Sequence, residues 1–132
     1  MVCAVKAVPY EKIKSQFEKG EKVSIVTCNT CTRSQSAGGA KMMEEIGHRL
    51  VKDVGIEVVE EIVLTIGCNA DYYDFAKPSE KVDKILCLGC WAGWSVIKRR
   101  FPDVPIIAGV KTLGVPALTK LKPVVPPKGV EA

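Results

Sequence analysis

Six cysteines stand out in this chain of 132 residues: Cys3, Cys28, Cys31, Cys68, Cys87 and Cys90. Thiolates are soft ligands that suit zinc and iron–sulfur clusters, and they also carry thiol–disulfide exchange. Cys28-Asn29-Thr30-Cys31 is a C-x-x-C pair, in which two intervening residues let both sulfurs turn toward one point. The same spacing between a strand and a helix is that of a thioredoxin-like redox pair. Cys87 and Cys90 repeat the spacing, but residues three apart on a strand point to opposite faces. That parity sends Cys87 into the core and leaves Cys90 at the strand end. Cys3 has no nearby partner in the sequence and reads as structural. No charged, apolar, cleavable leader opens the chain, so a reducing, cytoplasmic setting is expected and a disulfide framework is not.

The elements that must position these thiols follow from the hydrophobic pattern. Val2 to Val8 reads as a short edge strand. Pro9 starts a helical pattern in which Tyr10, Ile13 and Phe17 share a face, with Gly20 at its end. Lys22 to Thr27 (KVSIVT) reads as a buried strand ending at Cys28. Asn29 to Gly39 reads as a loop. A helix from Ala40 carries Met43, Ile46, Leu50 and Val54 as its apolar stripe and stops at Gly55. Ile56 to Ile66 holds a second strand centred on Ile62 to Ile66, ending at Gly67-Cys68. A helical turn is expected over Tyr72 to Ala76, stopped by Pro78. Lys84 to Leu88 is a third strand ending at Gly89-Cys90, Gly93 to Phe101 a helix, and Val104 to Val110 a fourth strand. From Lys111 the prolines predict an extended surface tail.

Strands alternating with helices predict an α/β fold, a single-domain Rossmann-like three-layer sandwich over residues 1–132. Its mostly parallel sheet would have about four strands, flanked by an N-terminal segment and helix (1–20) and a Pro-rich tail (111–132). Parallel strands collect their C-terminal ends at one edge, where open α/β sheets place functional sites. Cys28, Cys31, Cys68 and Cys90 would meet there as an all-thiolate metal site. Asp and Glu are absent from residues 28–39 and 86–97, and the only histidine, His48, falls mid-helix. Zinc and an iron–sulfur cluster both fit such a donor set. On this reading each of the four thiols is needed and Cys3 is dispensable. Trp91 and Trp94, flanking Gly93, would screen the site, meet a partner or pack the core.

Composition narrows the remaining classes. Apolar residues are 47 % and charged residues 26 %, with a net charge of +4. The positive excess is spread along the chain, Lys98-Arg99-Arg100 being its tight cluster, so nucleic acid is not indicated. No apolar run approaches the ~20 residues of a membrane span. No phosphate-binding glycine motif and no Ser/His/Asp set is present.

Cys28-x-x-Cys31, Ala37-Gly38-Gly39, Cys68 and Asp83…Cys90-x-Ala92-Gly93 together resemble a known family. It is the methylenetetrahydrofolate reductase C-terminal-like domain, the small zinc or iron–sulfur subunit of bacterial methylenetetrahydrofolate reductases. The likeness runs from about Tyr10 to Gly114. It implies metal ligation by Cys28, Cys31, Cys68 and Cys90, a [4Fe-4S] cluster or alternatively zinc, and a flavin-bearing reductase subunit as partner. Family members often carry a further cysteine where this chain has Gln35, and Cys87 is the reserve ligand that would compensate. The function expected is that of an electron-transfer accessory subunit of a one-carbon redox complex. A structural zinc module and a thiol–disulfide oxidoreductase are the alternatives.

Overall fold

The computed structural model describes residues 3–74, 81–116 and 120–132. Two sheets organise them. The first has four parallel strands: β2 (Lys22–Cys28), β3 (Glu57–Leu64), β4 (Lys84–Leu88) and β5 (Ile106–Ala108), in the order β3-β2-β4-β5. The second is antiparallel and joins β1 (Ala4–Ala7), β6 (Val110–Pro116) and β7 (Leu121–Lys122).

β2 is buried from Val23 to Cys28, as a central parallel strand covered on both faces must be. Side-chain alternation sorts the sheet's two faces. Val23, Ile25, Leu86, Leu88 and Ile107 pack with Ile13 of α1 (Tyr10–Lys14), Phe17, and Met43 and Leu50 of α3 (Ala40–Asp53). Val26, Ile85, Cys87, Ile106 and Ala108 pack with Trp94 and Ile97 of α4 (Trp91–Arg100). β3 lies at the edge, where Glu57, Glu60 and Glu61 discourage a further strand from pairing.

Several boundaries differ from the sequence expectation. The first helix closes after Lys14, because Gln16 and Phe17 bond back to Ile13 and Lys14 in tighter i→i−3 turns. Part of the expected loop after Cys28 forms one helical turn, α2 (Cys31–Ser34). β3 stops at Leu64, where its carbonyl accepts the Asn29 N–H at 2.7 Å, so Thr65 and Ile66 leave the ladder. The fourth parallel strand is short because Gly109 N–H bonds Cys87 O and the chain then enters β6. α4 begins at Trp91, before the expected Gly93. The tail is not a surface wrap at its start, since Val110 to Gly114 pairs with β1. A 3₁₀ turn spans Ala70–Asp74, while Ala76, Pro78 and the expected strand start at Val2 lie outside the described residues. No helix among the described residues is long and apolar enough to cross a membrane.

Candidate functional site

Parallel pairing places Cys28, the last residue of β2, opposite Leu64, and Thr27 opposite Leu88. The three strand ends are therefore level, and the loops after them fold over one edge. Cys31 opens α2, Cys68 lies on the loop after β3, and Cys90 is the residue immediately before α4. These four cysteines, with Thr30, Ile66, Gly67 and Gly93, line one cavity of about 330 Å³. At roughly 30 Å³ per water molecule, that is space for about ten waters. Among the described residues, no carboxylate, imidazole or basic side chain lines it.

Buried hydroxyls hold the C-x-x-C segment in place. The Thr32 hydroxyl donates to Cys28 O at 2.6 Å and also lies 3.2 Å from Leu88 O. The Thr27 hydroxyl donates to Leu88 O at 3.1 Å and accepts the Gly39 N–H at 2.8 Å. Both threonines are fully buried, so these bonds replace water that cannot reach them. Gly38 permits the close approach: a Cβ there would stand 2.6 Å from Thr32 Oγ1 and 2.8 Å from Leu88 O.

The Cys68 loop is tied down from two sides. Gly67 N–H donates to Cys28 Sγ at 3.3 Å, and a Cβ on Gly67 would press on Cys28 Cβ at 3.1 Å. Beneath it, the buried Tyr73 hydroxyl donates to Gly67 O at 2.9 Å. The Thr30 hydroxyl donates to Thr65 O. Cys90 stands at the N-cap of α4, where free backbone N–H groups carry partial positive charge.

The thiols sense one another. Partial burial pushes the Cys68 thiol up, and Cys90, Cys28 and Cys31 add to the rise. A bound cation would relieve such mutual opposition to ionisation. Cys87 does not line the cavity. It is buried against the core that includes Val26, Tyr73 and Trp94, and burial pushes its thiol up to about 12. Trp91 and Trp94 are also buried and outside the cavity lining. Trp94 Nε1 donates to Ile106 O at 3.1 Å, whereas Trp91 Nε1 has no hydrogen-bond partner among the described residues. His48 is exposed on α3.

One residue escaped the sequence reading. Cys3 does have a partner: its N–H donates to Cys31 Sγ at 3.4 Å. It packs against the cluster of Val5, Ala37, Cys90 and Val110. Desolvation, followed by the neighbouring Cys90 and Cys31, raises its thiol to about 12. No spacing rule signals this placement, which depends on β1 pairing with β6.

Among the described residues, no three His, Cys, Asp or Glu side chains converge so as to hold a single metal ion. A tetrahedral zinc with Zn–S bonds of about 2.3 Å needs its sulfurs roughly 3.8 Å apart. A cubane cluster takes one thiolate at each of four irons, so its ligands stand farther apart around a larger volume. Four thiols lining one cavity are a donor set of the kind an iron–sulfur cluster takes. Comparison with protein-family models, with curated proteins and with solved structures found no match to this chain.

Proposed function

We propose that this chain is an iron–sulfur accessory subunit of a redox complex. In this reading Cys28, Cys31, Cys68 and Cys90 hold a [4Fe-4S] cluster at the edge of a Rossmann-like sheet. The observation that carries it is the convergence of four thiols, from three separate segments, on one cavity lined, among the described residues, by no other ionisable group. The cluster would supply one-electron chemistry. The chain's own contribution is to hold the thiols, to donate Gly67 N–H to Cys28 sulfur, and to bury one flank of the site. Cys68 and Ile66 are exposed beside the cavity, which suits electron exchange with a docked protein. The sequence likeness to the small subunit of methylenetetrahydrofolate reductase suggests a flavin-bearing reductase as that partner and one-carbon metabolism as the setting.

Anaerobic purification with iron and sulfide analysis, followed by EPR after reduction, tests the reading. About four iron and four sulfide per chain, with a reduced-cluster signal, are expected. A colourless, iron-free protein containing zinc would overturn it.

A further inference from the structure

We propose that Cys3 is a fifth ligand-competent thiol of this centre, held there by Gln35 and able to take the place of Cys90. The inference rests on the cluster reading above and extends it to a residue outside the cavity-lining set. Gln35 clamps the N-terminal segment at two points. Its side-chain amide donates to Cys3 O at 2.6 Å and to Cys31 O at 3.0 Å, while its Oε1 accepts the Val5 N–H at 2.9 Å. One side chain thus ties β1 to the C-x-x-C turn. The Cys3 N–H adds a bond to Cys31 Sγ at 3.4 Å. The result is a thiol packed beside Cys90, on the flank of the site formed by Val5, Ala37 and Val110.

A fifth thiol thus flanks a centre that needs four. Three hydrogen bonds hold the backbone of its segment in place. A spare thiolate next to a ligand is chemically equipped to replace it, losing its proton to solvent as it binds iron. Cys90→Ser is the informative vacancy, because serine is a favourable N-cap residue and so preserves the start of α4.

Anaerobic reconstitution with iron and sulfide tests this on the full chain. Iron, sulfide and far-UV circular dichroism are measured for wild type, Cys3→Ser, Cys90→Ser and the Cys3→Ser/Cys90→Ser double variant. Cys3→Ser alone should keep wild-type iron, and Cys90→Ser should keep at least half. The double variant should lose at least fivefold while remaining folded. Gln35→Ala should keep iron in the wild-type background and lose it in the Cys90→Ser background, a conditional effect that a general loss of structure would not produce. If Cys90→Ser is as empty as the double variant, or the double variant as full as Cys90→Ser, the assignment of Cys3 is overturned. A wild type that takes up no iron would instead overturn the cluster reading. The same series is then read with cadmium(II), whose thiolate charge-transfer absorbance counts bound sulfurs. Cys3→Ser should leave the absorbance unchanged in the wild-type background and lower it in the Cys90→Ser background, and an unchanged absorbance in the latter overturns the assignment.

Discussion

The Tyr73 hydroxyl donates to the Gly67 carbonyl at 2.9 Å, with Tyr73 completely buried. Burial, with the nearby Cys87 and Cys28, raises its phenol, so it remains a donor through the neutral range. This bond fixes the backbone one residue before Cys68. Tyr73→Phe leaves the Gly67 carbonyl without that partner and should cost about 1 kcal/mol in urea unfolding. Alkylation of Cys68 in the metal-free protein should accelerate. An unchanged Cys68 rate would show that the bond does not restrain the loop.

Thr32 joins the C-x-x-C turn to the end of β4. Thr32→Val keeps the shape but removes the hydroxyl from between Cys28 O and Leu88 O. A loss of about 1–3 kcal/mol in chemical denaturation is expected, with Thr32→Ser recovering part of it. Equal stability of the valine and wild-type proteins would contradict the role assigned to the hydroxyl.

Gly38→Ala should be the most damaging of the conservative changes in this loop. Its new methyl would meet Thr32 Oγ1 and the Leu88 carbonyl well inside van der Waals contact. Overpacking of this kind costs about 1–3 kcal/mol. The matched control is Gly93→Ala, where the nearest atom is Gly67 O at 3.4 Å. Thermal melts of the two variants should rank Gly38→Ala below Gly93→Ala.

Metal content should separate the buried cysteine from the cavity cysteines. Cys28→Ser removes a sulfur that lines the cavity and accepts the Gly67 N–H, and should empty the site. Cys87→Ser places a hydroxyl in the apolar core, which costs about 1–3 kcal/mol, but should leave iron content within a fifth of wild type. Iron per chain after reconstitution decides between them, and loss of iron from Cys87→Ser alone would require a different ligand set.

Alkaline stability of the metal-free protein should report Cys87. Its thiol rises from an ordinary value of 9.0 to about 12 on burial. Below pH 9 it is protonated in both states and its burial as a neutral group is undisturbed. Between pH 9 and 12 the unfolded chain ionises while the folded one stays neutral, so stability falls as pH rises. The urea midpoint should therefore drop over that window, and it should drop less in Cys87→Ala. Cys3 and Tyr10, each raised to about 12 by desolvation first, contribute over the same window, and Tyr10→Phe removes the latter share. Identical pH profiles for wild type and Cys87→Ala would exclude the thiol as a source of the slope.

Much of the sheet was legible in the chain because its information is local. Val23 to Thr27 and Ile85 to Leu88 are uncharged, mostly apolar runs, and burial on both faces of a parallel strand favours such runs. Cysteines placed at or just after them, beside Gly67 and Gly89, mark turns at one end of the sheet. Short-range periodicity thus pointed to Cys28, Cys31, Cys68 and Cys90, and strand parity turned Cys87 inward. The position of Cys3 had no such signal. It follows from Ala4 pairing with Gly114 and from Gln35 reaching back across the chain to Val5. The hydroxyl ties of Thr27 and Thr32 to Leu88 were equally hidden, because each joins strand ends distant in sequence. Residue pattern determines which face a side chain takes within its own element. Which elements meet is decided by the free energy of burying and hydrogen-bonding the whole chain at once, and that brought the N-terminal thiol to the site.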